Sequence, residues 1–309
     1  MHNLRFTLMA LGLAAAMFLG IRSFGNAYVF FAGYVVFQYV VLATSWNILG
    51  GYTGYVNFGT AAFFALGAYT TVVLSKALPL TPLPVMILAG GSISGFIGLG
   101  MGYLTLRLRG TFFSIATLAM AVVAQTFITN WNFVGGSRGA YIVRPVRSPI
   151  FLGDYTQYLF GIMLLLSVVS VSIARAVQHS RLGFGFAAIR DDEHAAEASG
   201  VPTLRLKLIA TTLSGGLMGM AGAPLPYYVT YLDPTSAFDL SYAVNTIAMP
   251  LIGGTSTWLG PVIGAICLGT LEQVATVTIS SALSLLIVGL LLVVFVVAAP
   301  KGMLGWLKR

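Results

Sequence analysis

The sequence predicts an all-α integral membrane protein of about ten (nine or ten) transmembrane helices, glycine-rich, with both termini in the cytoplasm. Three observations carry this prediction. Hydrophobic residues fill 58% of the 309 positions and only 8% are charged, whereas an ordinary soluble domain is about a quarter charged. Apolar stretches recur along the chain, all but one of them within the about 17 to 25 residues that a crossing helix requires. Basic residues gather at the ends of those stretches. A soluble chain could not cover its outside with so few charges. The net charge of +8 comes from only 16 Lys and Arg, and their positions beside apolar runs suit anchoring at a cytoplasmic face better than nucleic-acid binding. The single cysteine, Cys267, lies in an apolar run and allows no internal disulfide.

The first span, 4–21, follows the short basic start Met1 to Arg5 and reads as a retained helix. A cleaved signal peptide is the alternative, since residues 8–20 form an apolar core. Spans two to seven fall at 28–49, 60–76, 84–106, 111–130, 156–177 and 205–229. The eighth, 240–252, is short for a straight crossing, which keeps nine beside ten; 259–278 and 281–299 follow. With the charged loop after the sixth span inside, alternating crossings place Arg5, Arg107, Arg109, Lys301, Lys308 and Arg309 on the same side, and eleven of the sixteen basic residues are cytoplasmic. The loop 131–155, with Arg138, Arg144 and Arg147, falls outside against the bias, whereas Asp233 and Asp239 fall outside in a loop with no basic residue, in agreement with it.

Glycine occurs 36 times. Pairs at i and i+4, such as Gly91/Gly95, Gly98/Gly102, Gly215/Gly219 and Gly260/Gly264, let helix backbones approach closely in lipid. Two clusters differ, Gly50 to Gly59 and Gly253 to Pro261, which share a Gly-Gly-X-Thr/Ser-X-aromatic-aliphatic pattern. They read either as paired interruptions lining a pathway or as interfacial turns between successive helices.

Chemistry-bearing constellations do not emerge. His2, His179 and His194 lie outside the spans without metal-ligand spacing, and no Walker A sequence or His-Glu-X-X-His occurs. The sequence therefore points to no catalytic residue, no metal and no cofactor in this chain. Glu272 is the one acid within a predicted span; it is a functional candidate, or else a structural group near a helix end or bonded to Gln273 or a nearby Thr or Ser. Other interior polar groups are neutral: Asn47, Tyr52, Asn57, Thr60, Thr117, Gln125, Asn245 and Thr246. Ion-coupled carriers usually carry buried charges, so an external motor protein is the economical source of energy.

The segment Ser180 to Gly200 holds four of the eight acidic residues. Residues 185–200 suit a short helix with Asp191, Asp192 and Glu193 in its first turn, Gly200 ending it and Pro202 reinforcing the stop. An exposed acidic start followed by small alanines reads as a contact surface for a soluble partner; a merely solvated loop is the alternative.

Here the chain resembles a known family, the LivM-type permeases of branched-chain amino acid ABC importers. The likeness rests on Trp46 to Gly59 with Ala61 to Tyr69, on Leu106 to Leu118, on Gly135-Gly136-Ser137-Arg138-Gly139, on Ser180-Arg181-Leu182-Gly183 through Arg190-Asp191-Asp192-Glu193 to Gly200, and on Ile252 to Ala265. Thr60, Phe184-Gly185-Phe186 and Thr255-Ser256-Thr257 depart from the family pattern and leave the solute open. The resemblance implies the permease fold of ABC importers in a bacterial inner membrane, organised as a single transmembrane permease domain over 1–309 with a cytoplasmic coupling loop at about 179–204. It implies a sister permease subunit forming a heterodimer, two cytoplasmic ATP-binding subunits that hold ATP and Mg, and an extracytoplasmic solute-binding protein. Arg190, Asp191, Asp192, Glu197 and Gly200 would couple to the ATPase subunit, while Tyr52, Asn57, Phe58, Thr117 and Trp258 would line the translocation pathway. A branched-chain or related amino acid is the expected solute, with urea, amides or aromatic acids as alternatives; a self-sufficient secondary carrier or channel and a membrane-embedded enzyme or scaffold are the readings from other classes.

Overall fold

The computed structural model describes residues 2–24, 26–105, 108, 110–145, 153–278, 289–290, 293 and 302–307. Its helices run α1 (His2–Phe24), α2 (Ala27–Thr53), α3 (Thr60–Ala77), α4 (Leu83–Thr105), α5 (Thr111–Thr129), α6 (Tyr155–Gln178), α7 (Arg181–Asp191), α8 (Glu193–Ala198), α9 (Thr203–Gly222), α10 (Leu225–Val229), α11 (Pro234–Ala237), α12 (Leu240–Gly253), α13 (Leu259–Thr278) and α14 (Gly302–Leu307). Two short strands, β1 (Ala140–Tyr141) and β2 (Tyr231–Leu232), pair antiparallel, Ala140 opposite Leu232 and Tyr141 opposite Tyr231. The protein is an all-α membrane protein: eight segments among the described residues are long and apolar enough to cross a bilayer.

Those eight segments match the sequence-derived spans one to seven and nine, with shifted ends. α2 runs through Gly50 and Gly51 to Thr53 rather than stopping at residue 49. Two of its buried hydroxyls bond within the helix, Ser45 Oγ donating to the Val41 carbonyl and Thr53 Oγ1 to that of Leu49. Gly54, at φ +79°, ends it. The seventh span is interrupted: α9 stops at Gly222, Pro224 follows, and α10 completes Thr203–Val229. The eighth appears as α12, only 14 residues with Pro250 inside, too short to be one of the eight. The tenth, 281–299, lies outside the described residues apart from 289, 290 and 293, as do Arg107, Arg109, Arg147, Lys301, Lys308 and Arg309.

The chain divides into two compact units, residues 1–47, 147–179 and 245–309 forming the first and 48–146 and 180–244 the second. In the first, Phe18, Phe30 and Phe160 interlock, with ring centroids 5.4 to 6.2 Å apart, and the guanidinium of Arg175 sits 4.0 Å over the Phe6 ring. A close turn joins α12 to α13, where a Cβ on Gly264 would stand 1.9 Å from the Met249 carbonyl oxygen.

The second unit is built on α3, α4 and α9. Lipid supplies no hydrophobic force between helices, so close backbone approach and interhelical hydrogen bonds hold them. A Cβ on Gly67 would lie 2.0 Å from the Gly219 carbonyl oxygen, and one on Gly222 would lie 1.9 Å from that of Phe64. Ser94 Oγ donates to the Phe63 carbonyl at 3.1 Å and Thr71 Oγ1 to that of Ala223 at 2.8 Å.

At one end of this unit β1 meets β2, the Tyr231 hydroxyl donates to the Arg138 carbonyl and Lys76 donates to that of Phe133. The loops beginning after residues 76, 130 and 229, expected on one side, thus share one end. Asp233 caps α11 there, accepting from the Ser236 amide at 3.0 Å and its hydroxyl at 2.7 Å. Partial burial works to raise its carboxyl, but these hydrogen bonds outweigh it and hold it below the usual carboxylate range.

Candidate functional site

At the opposite end of the same unit, the charged loop meets the irregular segment 54–59 between α2 and α3. The loop is two helices rather than the single one expected over 185–200. Ser180 opens α7, its hydroxyl accepting from the Gly183 amide. α7 ends at Asp191, and Asp192, in extended conformation, caps α8 by accepting from the amides of His194 at 2.9 Å and Ala195 at 3.1 Å. Asp191 therefore stands at a helix C-terminus, contrary to the expectation of a shared acidic first turn. The capping tendency of aspartate outcompetes continuous helix at Asp192. Gly200, at φ +83°, ends the element and Pro202 precedes α9.

One face of this helix pair is buried through Phe186, Ile189 and Ala196. The other carries exposed Arg190, Asp191, Asp192 and Glu197. Arg190 lies 3.5 Å from the Asp191 carboxylate and donates to the Gly51 carbonyl at 3.5 Å, while Glu197 accepts from the Thr203 hydroxyl at 2.7 Å. Thus Asp191, 75% exposed, is the acid least committed within the chain, while Asp192 is exposed but also holds the α8 cap.

Glu193 turns inward instead. Its carboxylate accepts from Lys207 Nζ at 2.7 Å and from the Tyr55 hydroxyl, which in turn accepts from Lys207 Nζ at 3.1 Å. Lys207 is buried and its ammonium sits 4.7 Å over the Tyr55 ring. In sequence, Glu193 is legible only as a helix-start acid, and no local motif marks Tyr55 or Lys207. The one available signal was a lysine in the first turn of an apolar span, which needs a buried partner once withdrawn from water.

Of the expected pathway residues, the structure brings Asn57, Phe58 and Thr117 together. Asn57 Oδ1 accepts from the Gly59 amide at 2.7 Å, the Phe58 amide donates to Thr117 Oγ1 at 3.1 Å, and Ser114 Oγ donates to the Val56 carbonyl at 2.8 Å. The segment's backbone is thereby fixed to the first two turns of α5. Tyr52 is buried in the last turn of α2, one turn earlier than an irregular segment would put it. Trp258 belongs to the first unit, where its amide donates to Gln178 Oε1 at 2.9 Å and its ring meets that of Phe6 edge-on at 5.0 Å. Both glycine clusters connect successive helices. Thr60 is fully buried at the start of α3, its hydroxyl donating to the Asn57 carbonyl.

Glu272, in α13, accepts from Asn245 Nδ2 at 3.3 Å and 3.4 Å to its two oxygens, and the same amide lies 3.1 Å from the Tyr39 hydroxyl. Its carboxylate thus meets an amide on α12, while its carbonyl accepts from the hydroxyl of the nearby Thr276 at 2.8 Å. Among the described residues no group of three His, Cys, Asp or Glu could hold a metal ion.

Comparison with known proteins agrees with this architecture. The family model described as branched-chain amino acid transport system / permease component matches residues 28–296. The high-affinity branched-chain amino acid transport system permease protein LivM of Salmonella typhimurium is 27% identical over 293 residues, covering 86% of this chain and 67% of the relative. LivM of Escherichia coli K12 matches to the same extent, and the probable branched-chain amino acid transport permease protein LivH of Methanocaldococcus jannaschii is 22% identical over 287 residues, 87% of this chain and 90% of the relative. The search of solved structures finds no match. With a match that spans both units and most of the transmembrane helices, the chain belongs to the family of branched-chain amino acid transport system permease components.

Proposed function

We propose that this permease subunit of an ABC importer moves branched-chain or related amino acids into the cytoplasm, driven by ATP hydrolysis in separate subunits. The observation that carries the reading is the helix pair α7–α8, buried on one face, with Asp191 and Asp192 exposed on the other. It is rooted in the membrane unit and presents acids to a basic surface on a soluble partner. The exposed Arg190, Asp191, Asp192, Glu197 and Gly200 form the contact with the ATPase, which holds ATP and Mg. Asn57, Phe58 and Thr117, with Tyr52 and Trp258, contribute to the solute route. Neutral polar and aromatic groups suit a zwitterion, whose charges nearly cancel and which needs hydrogen bonds more than a counter-ion.

The chain works as one permease domain in the inner membrane, with both termini cytoplasmic. It pairs with a sister permease in a heterodimer, a reading favoured by relatives named both LivM and LivH. Two ATP-binding subunits and an extracytoplasmic binding protein complete the importer. Glu272 is held by neutral Asn245 and needs no coupling role. The test is substrate-stimulated ATP hydrolysis in proteoliposomes containing this chain and its co-encoded partners, screened against leucine, isoleucine, valine, aromatic acids and urea. Stimulation by a branched-chain amino acid that requires this chain is the expected result; stimulation by urea or an aromatic acid alone would reassign the solute.

A further inference from the structure

Glu193 stands apart from the other acids of its loop. Asp191, Asp192 and Glu197 face outward, whereas the Glu193 side chain is 12% exposed and closes on Lys207 at 3%. Withdrawing both charges from water is costly unless each meets a partner and further hydrogen bonds. Tyr55 completes that set, donating to the carboxylate and accepting from the ammonium. The three groups come from three separate pieces of chain: α8, the second turn of α9, and the irregular segment after α2. Arg190 adds a second tether to the same place, reaching the Gly51 carbonyl and lying so close to Gly54 that a Cβ there would stand 3.2 Å from Arg190 Cγ. Beyond Tyr55, the Val56 carbonyl and the Phe58 amide are bound by Ser114 and Thr117 of α5. A continuous polar line thus runs from the exposed helix pair into the segment that holds Asn57 and Phe58.

The geometry points to Tyr55, Glu193 and Lys207 as positioning residues, the joint through which displacement of α7–α8 reaches residues 54–59. The inference rests on the reading of α7–α8 as the ATPase contact. Apolar contacts alone slide; a buried ion pair with a shared hydroxyl is directional, and a two-state element needs such a link to bias its far end. None of the three touches solute in this scheme. They transmit movement to residues that do.

The test uses the assembled complex with its ATPase subunits. In a Cys267→Ser background, Val56→Cys reports on the irregular segment through its rate of maleimide reaction, without nucleotide and after trapping with ATP and vanadate. With the joint intact the two rates differ by at least about fivefold. Tyr55→Phe, and Glu193→Gln combined with Lys207→Met so that no buried charge is left unpaired, bring the ratio close to one while the ATPase still co-purifies and hydrolyses ATP. An undiminished ratio in both variants, or no difference between states in the intact chain, overturns the joint. Asp191→Arg separates the two claims. If that variant keeps its ATPase and its ratio, the loop is not the contact and the inference falls with that reading. If it loses the ATPase while both joint variants behave like the intact chain, only the joint is wrong.

Discussion

At the scale of single residues, the charged loop sorts its acids by what each touches. Asp191 makes its one described ion pair with its neighbour Arg190 at 3.5 Å and is 75% exposed, so its reversal disturbs little within the chain. Asp191→Arg is expected to lower substrate-stimulated ATP hydrolysis by at least about tenfold, since like charges placed across an interface cost several kcal/mol, while insertion into the membrane, read by protease protection, stays normal. Unchanged stimulation would remove the loop from the coupling route. Glu197→Arg is a less clean probe because it also breaks the bond from Thr203. The acids were legible from composition alone, four of eight within one short segment. Their division into outward and inward groups was not. Glu193 and Lys207 are fourteen positions apart, too far for a pair within one helix, and the hydroxyl that completes them lies 138 residues from Glu193. Such a contact depends on tertiary packing that no local pattern encodes. Glu272 shows the same limit: the sequence marked it as an intramembrane acid, but its partner Asn245 stands on another helix.

At the scale of elements, hydropathy located the helices well and their ends less well. Hydropathy ends α2 at the first glycines, yet a paired Gly50-Gly51 costs the helix little against the alternative of unsatisfied backbone in lipid. The sequence pattern also runs a single helix through Asp192, where the side chain instead caps a second one. The small-residue pairs of α4 and α9 were readable, and the structure supplies their purpose in the contact of α3, α4 and α9. Gly222→Ala tests this packing, because the new Cβ would fall 1.9 Å from the Phe64 carbonyl oxygen. Thermal unfolding in detergent should show a loss of about 1–3 kcal/mol. Gly100→Ala, with nothing within 4 Å of the new Cβ, should be neutral or gain about 0.5–1 kcal/mol from helix propensity. Equal melting of the two variants would mean that the helices are not held by backbone proximity.

At the scale of the whole molecule, class and family were legible because they rest on sums over the chain: few charges, repeated apolar spans, and motifs spread from residue 46 to 265. The division into two compact units was not, because each unit gathers three stretches or two from distant parts of the chain. Pairing of β1 with β2 at one end of the second unit, and of Tyr55 with Glu193 at the other, agrees with the alternation of crossings inferred from basic residues. The proposed import draws on ATP in partner subunits and not on an ion gradient through Glu272. The most direct measurement is uptake of labelled leucine into proteoliposomes holding either this chain alone or the full complex, with ATP on the cytoplasmic side or with an imposed proton or sodium gradient, using intact protein and Glu272→Gln. Uptake is expected only by the full complex with ATP, changed less than about twofold by the substitution, as befits loss of one charge at a structural hydrogen bond. Gradient-driven uptake by the chain alone, abolished in Glu272→Gln with assembly intact, would contradict ATP-driven import.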